Sequence, residues 1–246
     1  GAEHWQARFA QNLILDDDRR AVTAEHRVRP GERYLHRMPA TSEPAVSAAI
    51  RVLHEDAAIV VVDKPAPLPL HPSGRFNRNT LQWILNLVYH PQKLRPVHRL
   101  DANTTGVVVF ARTQHFAGQL QSQFATGGVE KHYLARIQGH PPESSFICEA
   151  PIGRDTTDLG GRAIDEQGLA ARTEFRVLQK FSDGTSLVEA KPLTGRTNQI
   201  RVHLWHLGWP ICGEQAYLAN RQLGETQTHA AADPPLCLHA QWISFI

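Results

Sequence analysis

Asp101 and Arg99 stand two residues apart in the polar run Pro96-Val97-His98-Arg99-Leu100-Asp101-Ala102-Asn103-Thr104-Thr105-Gly106, which leads directly into Val107-Val108-Val109-Phe110. A polar loop at the edge of a strand is where a rigid scaffold displays a reactive side chain. A carboxylate there serves as nucleophile or base at neutral pH, and a guanidinium beside it keeps it ionised and oriented. Arginine suits that role because its planar fork pairs with both carboxylate oxygens. On spacing alone, however, an Asp and an Arg in a turn more often make a structural salt bridge or an Asx-type turn.

Charge distribution adds a second signal. No acidic residue lies between Asp63 and Asp101, whereas Lys64, Arg75, Arg78, Lys93, Arg95 and Arg99 do. None lies between Glu189 and Glu214, a stretch that carries Lys191, Arg196 and Arg201. Two basic tracts punctuated by Phe76, Trp83, Trp205 and Trp209 suit a polyanion with unstacked bases. Taken as bare patterning they read more simply as solvated faces beside core aromatics. The net charge of +2 is too small to decide between these readings.

The elements that must hold these residues are readable from periodicity. Ala58-Ile59-Val60-Val61-Val62 and Val107-Val108-Val109-Phe110 are β-branched runs of buried-strand type, and 131–138, 186–190 and 238–246 are further strands. Thr80 caps a helix with Leu81, Ile84, Leu85 and Val88 on one face. Phe116, Leu120 and Phe124 mark a second helix, and a third runs over 197–207 to Gly208 and Pro210. Without regular βαβ alternation, the fold class is α+β around a mixed, largely antiparallel sheet with flanking helices. Residues 1–45 differ in texture, with turns at Asp16-Asp17-Asp18-Arg19-Arg20 and Arg29-Pro30-Gly31-Glu32. They read as an N-terminal appendage joined through Thr41-Ser42-Glu43-Pro44 to a main domain over 46–246.

Composition bounds the class of protein. With 246 residues, 41% hydrophobic and 20% charged, the chain is of ordinary globular type. It has no long apolar run and no signal-peptide pattern, so the expectation is a soluble, cytoplasmic protein, a monomer with no membrane partner. Cys148, Cys212 and Cys237 are odd in number and widely spaced, which argues against a zinc site or a disulfide framework. His203-x-x-His206 has no acidic residue nearby and makes no recognisable ligand set, so no metal is expected.

Four ordered segments resemble one family. His98-Arg99-Leu100-Asp101 with Thr104-Thr105-Gly106 resembles the H-R-L-D-x-x-T-[ST]-G signature of RluA-type RNA pseudouridine synthases. Asp63-Lys64-Pro65 through Leu68-Pro69-Leu70-His71-Pro72-Ser73-Gly74-Arg75 is similar to the family's K-P-x-G-L-P-V-H-P segment. Lys131-His132-Tyr133-Leu134-Ala135 is similar to its K-x-Y-x-A strand, and Thr194-Gly195-Arg196-Thr197-Asn198-Gln199-Ile200-Arg201-Val202-His203 to T-G-R-T-H-Q-I-R-V-H. The likeness spans about residues 50 to 246.

The resemblance implies an isomerase that turns uridine of rRNA or tRNA into pseudouridine by base flipping, with no cofactor. It makes Asp101 the nucleophile, Tyr133 the aromatic packed on the target base and Arg201 the partner of Asp101, pointing into a cleft from a helix margin. Arg99, His71, Arg75, Arg196 and Lys64 become RNA-binding candidates, and His98 a residue that fixes the loop. The appendage is similar to the later half of an S4-like region. Three departures stand out: Asn198 for the usual His, Ala66-Pro67 where a Gly is usual, and Gly213-Glu214 for Gly-Asp. Two rivals remain at this point, a non-catalytic RNA-binding protein on the same fold and a glycoside-type hydrolase. The hydrolase needs a second carboxylate that the acid-free tracts do not offer.

Overall fold

The computed structural model describes residues 2–38, 42–154, 161–224, 226, 229, 230 and 232–246. Contacts divide the chain into two units, Gly1–Ser42 and Glu43–Ile246. The linker expected at 41–44 falls partly outside the described residues, at Thr41.

The first unit holds a helix, α1 (Ala2–Ala10), and an antiparallel pair, β1 (Ile14–Leu15) with β2 (Leu35–His36). Its turns have specific causes. Asp16 Oδ1 accepts the Arg20 amide at 2.8 Å while Arg19 sits at φ 63°. Glu32 Oε2 accepts the Arg29 amide at 2.7 Å around Gly31 at φ 89°, a conformation glycine adopts without strain. Leu13, Ile14 and Val22 are its buried apolar residues.

In the second unit, nine strands among the described residues form one sheet. In chain order they are β3 (Arg51–Glu55), β4 (Ile59–Lys64), β5 (Arg95–Pro96), β6 (Thr105–Ala111), β7 (Glu130–Gln138), β8 (Ser145–Cys148), β9 (Thr173–Lys180), β10 (Thr185–Pro192) and β11 (Leu238–Ser244). The spatial order is β3-β4-β6-β11-β7-β10-β9-β8, with β5 also paired to β6. Neighbours run antiparallel except β11, which lies parallel to β6 with His239 opposite Thr105 and Ala240 opposite Gly106. That crossing selects glycine: Gly106 has φ 111°, and a Cβ there would stand 2.2 Å from the Ala240 carbonyl oxygen.

Three helices cover the sheet: α2 (Leu81–Val88), α3 (Gln114–Thr126) and α4 (Gln199–His206). Alternation along β4 and β6 sends Val60, Val62, Val108 and Phe110 to one face, against Leu81 and Leu85 of α2. Val109 and Ala111 turn to the other face and meet Ala117 and Leu120 of α3. Ile200 and Leu204 of α4 pack on Ala135, Ile137, Val188 and Ala190, and Tyr133 touches both this cluster and the α2 cluster.

The helix starts follow from capping. Thr80 Oγ1 accepts the Trp83 amide and Thr113 Oγ1 the Phe116 amide, each at 3.3 Å. Two expectations need correction. Val88 is 70% exposed, because α2 ends there and only Leu81, Leu85 and, in part, Ile84 reach the core. The third helix begins at Gln199, after Asn198 at φ 57°, a left-handed conformation that a short polar side chain tolerates.

Candidate active site

The loop bearing Asp101 joins β5 to β6 and is fastened along its length. The Val97 amide donates to Val109 O at 3.1 Å, and His98 Nε2 accepts the Val109 amide at 3.0 Å. Burial pulls the His98 pKa down to about 4, assisted by nearby Lys131, so the ring is neutral and its Nε2 is the acceptor this bond requires. The ring also stacks on Phe124, with centroids 5.0 Å apart. The Thr104 amide closes a turn onto Asp101 O at 3.2 Å. His98 therefore holds the loop, as its position suggested.

Lys64 anchors the loop from beneath, and here the structure corrects the expectation of an RNA contact. It is fully buried at the end of β4, and its Nζ donates to the carbonyls of Pro65, Leu68 and Ala102 at 2.9–3.0 Å. Those three acceptors match the three N–H bonds of an ammonium. Burial nevertheless lowers its pKa to about 7, against the pull of Asp101 and Asp63.

Arg201 approaches from α4. The sequence suggested a residue at a helix margin, but Arg201 is only 3% exposed and nearly all of α4 is buried. Its Nε and Nη2 donate to the two Glu214 carboxylate oxygens at 2.8 and 2.7 Å, a bidentate pair. Its Nη1 reaches Asp101 Oδ2 at 3.4 Å and Asn198 Oδ1 at 3.3 Å. Arg201, not the adjacent Arg99, is thus the ion-pair partner of Asp101 in the structure. Burial alone would lower the Arg201 pKa, but Glu214 and then Asp101 more than offset it and the net shift is upward. Burial likewise raises Glu214, and the bonds from Arg201 and from the Gln215 and Ala216 amides reverse that shift.

Two clefts meet at Asp101. The first, about 300 Å³, is lined by Tyr133, Phe124, Lys131, Arg196, Ile200 and Leu238 among others. The second, about 400 Å³, is lined by Leu70, His71, Ser73, Arg75 and Phe76 among others. Arg99, Leu100, Asp101, Thr197, Asn198 and Arg201 belong to both. Tyr133 sits on β7 opposite Ala240 and Ala190. Burial, reinforced by the Asp101 charge, raises its phenol above the ordinary value, so it stays protonated. Arg196 spends its Nε on Ala170 O at 3.0 Å, while Arg99, His71 and Arg75 are exposed on the cleft walls.

Elsewhere the simpler readings win. Trp205 donates to Leu218 O at 3.0 Å, Trp209 packs edge-on to Phe146, and Phe76 is buried; of the four aromatics, Trp83 alone is well exposed. His203 bonds Thr173 Oγ1 through Nδ1 and Ala150 O through Nε2, which occupies both of its potential ligand atoms. Cys148 is buried, whereas Cys212 and Cys237 are only half-buried. Sequence reasoning missed the part played by Glu214 and the fully buried Tyr217. The only available signal was that Glu214 departs from a motif.

Residues 58–206 match the model of the family described as RNA pseudouridylate synthase, and the chain belongs to that family. Among curated relatives it is 37% identical over 206 residues to Pseudouridylate synthase RPUSD2 of Homo sapiens, covering 84% of this chain and 35% of that protein. It is 37% identical over 196 residues to the mitochondrial tRNA pseudouridine(32) synthase of Saccharomyces cerevisiae, covering 77% and 42%. It is 36% identical over 205 residues to Ribosomal large subunit pseudouridine synthase D of Nitrosomonas europaea, covering 81% and 58%. The chain thus spans between 35% and 58% of the length of these relatives. Among solved structures it resembles Human RNA Pseudouridylate Synthase Domain Containing 4, with TM-score 0.64 and 29% identity over 79% of this chain and 83% of that one.

Proposed function

We propose that this chain isomerises specific uridines of rRNA or tRNA to pseudouridine, with Asp101 as nucleophile. The observation that carries the reading is Asp101 at the junction of two clefts, 3.4 Å from the guanidinium of a buried Arg201. Relatives named for tRNA and for the ribosomal large subunit support the two RNA classes. The reaction breaks an N-glycosidic bond, turns the base and forms a carbon–carbon bond to the same ribose. Its atoms and electrons balance without a cofactor.

Extracting the uridine from its stack costs a few kcal/mol, offset by stacking and backbone contacts. Tyr133 offers the aromatic face for the base, and its protonated hydroxyl can donate near the reacting carbon. Arg201 pairs with Asp101 and orients it. Arg99, His71 and Arg75 suit contacts to phosphates on either side of the flipped nucleotide, with Arg196 at the far wall.

The test is Asp101→Asn, which keeps size and polarity but removes the anion. Pseudouridine formation falls to background in RNA from cells carrying the variant, mapped by chemical sequencing against cells with and without the gene, while RNA affinity stays within about twofold. Full activity in the variant sinks the reading.

A further inference from the structure

The guanidinium that faces Asp101 is mounted on two sides. Glu214 grips its Nε and Nη2 edge, and Glu214 is itself held by the Gln215 and Ala216 amides at 3.1 and 2.9 Å. The remaining terminal nitrogen, Nη1, carries two hydrogens and has two oxygens in reach: Asp101 Oδ2 at 3.4 Å and Asn198 Oδ1 at 3.3 Å. One is a charged group in the cleft; the other is a neutral amide, 8% exposed, at the foot of α4.

The Asn198 amide cannot turn over without cost. Its Nδ2 donates to the Tyr217 hydroxyl at 3.0 Å. That hydroxyl also accepts the Arg162 amide and donates to Arg162 O, each at 2.9 Å, so its one donor and two acceptor sites are all used. Tyr217 is 1% exposed, and the Arg201 guanidinium lies 5.1 Å over its ring. A saturated, immobile hydroxyl therefore fixes which end of Asn198 faces Arg201. The left-handed backbone at Asn198, φ 57°, directs the side chain from a position that few residues occupy without strain.

We propose that Asn198 is a positioning residue: its Oδ1, oriented by the Tyr217 hydroxyl, takes one Nη1 hydrogen of Arg201 and so sets the approach of the other to Asp101. A guanidinium held only by Glu214 can pivot about that bidentate edge. The Asn198 carbonyl stops the pivot and keeps Nη1 at a loose ion-pair distance, close enough to orient the carboxylate and too far to tie up its lone pairs. The inference rests on the reading of Asp101 as nucleophile for its catalytic consequence, but the clamp itself is a property of the protein without RNA.

The experiment uses Asn198→Gly, which keeps the left-handed backbone and removes the amide, and Tyr217→Phe, which removes only the hydroxyl. In the whole chain labelled with 15N-arginine, the Arg201 Nη1 protons give a resolved, slowly rotating signal in the parent protein, and this averages in both variants. With an RNA carrying a mapped target uridine, kcat falls about tenfold in Asn198→Gly and less in Tyr217→Phe, while KM stays within about twofold, the loss of an interaction that acts after binding. A lower melting temperature with an unchanged Arg201 signal and unchanged kcat overturns the proposal and leaves Asn198 a purely structural residue. If Asn198→Gly does not fold, the near-isosteric Tyr217→Phe decides in the same way. A parent protein that forms no pseudouridine refutes the function proposed above, and the arginine spectra still decide on the clamp.

Discussion

Asp101 is flanked by two buried cations that solve the same problem in opposite ways. Arg201 brings its own anion: Glu214 neutralises it, and its pKa is raised. Lys64 has three neutral carbonyls and only the more distant pull of Asp101 and Asp63, and burial takes its pKa to about 7. A paired charge stays charged at any working pH, whereas an ammonium solvated by carbonyls alone titrates near neutrality. The Arg201 side thus supplies a constant field to Asp101, and the Lys64 side supplies geometry, pinning Ala102 beside it.

The largest test of this contrast is Arg201→Ala. It strands Glu214 as a buried, uncompensated carboxylate, and urea unfolding should record a loss of about 3–5 kcal/mol along with loss of activity. A small stability change would mean that the Arg201–Glu214 pair contributes little. Lys64→Met is expected to cost less, about 1–3 kcal/mol, because it leaves carbonyls unsatisfied but no charge behind. A cost equal to that of Arg201→Ala would erase the distinction between the two sides.

The pH dependence sharpens the contrast further. Between about 7 and the ordinary lysine value of 10.5, the unfolded chain binds the Lys64 proton and the folded chain does not. The contribution of Lys64 to stability therefore rises with pH across that window, and is least below 7. Urea unfolding of the parent protein and Lys64→Met from pH 6.5 to 9 should show this upward slope in the parent alone. The smallest effect belongs to Asp63→Asn: one of the two anions that support Lys64 is gone, so the onset of the slope moves down by a fraction of a pH unit. An upward movement would reverse the assigned role of Asp63.

How much of this was legible in the sequence depends on the range of the interactions involved. Strands such as β6 and β7, and the cap Thr80, rest on local periodicity and hydrogen bonding, and both are written in neighbouring residues. The pairing of Asp101 with Arg201 spans a hundred positions and was reachable only through a family motif, not through spacing. Lys64 was misread as a surface contact because a basic, acid-free tract looks the same whether its lysine faces solvent or three carbonyls. Trp205 and Trp209 were ambiguous for the same reason. Glu214 showed only as a departure from a motif and Tyr217 left no local trace, because each owes its role to partners supplied by the tertiary fold.

The parallel placement of β11 between β6 and β7 has a consequence for biosynthesis. The strand that completes the middle of the sheet begins at Leu238, 100 positions after β7 ends at Gln138 and later still after β6. Until residues 238–244 leave the ribosome, β6 and β7 each present an open edge, and the segment carrying Asp101 lacks one of its lateral supports. Sheets closed by such distant segments form slowly and expose unpaired edges while they wait. A chain stopped before β11 therefore leaves two strand edges unpaired beside the Asp101 loop, and that loop gains its last lateral support only when the final strand arrives.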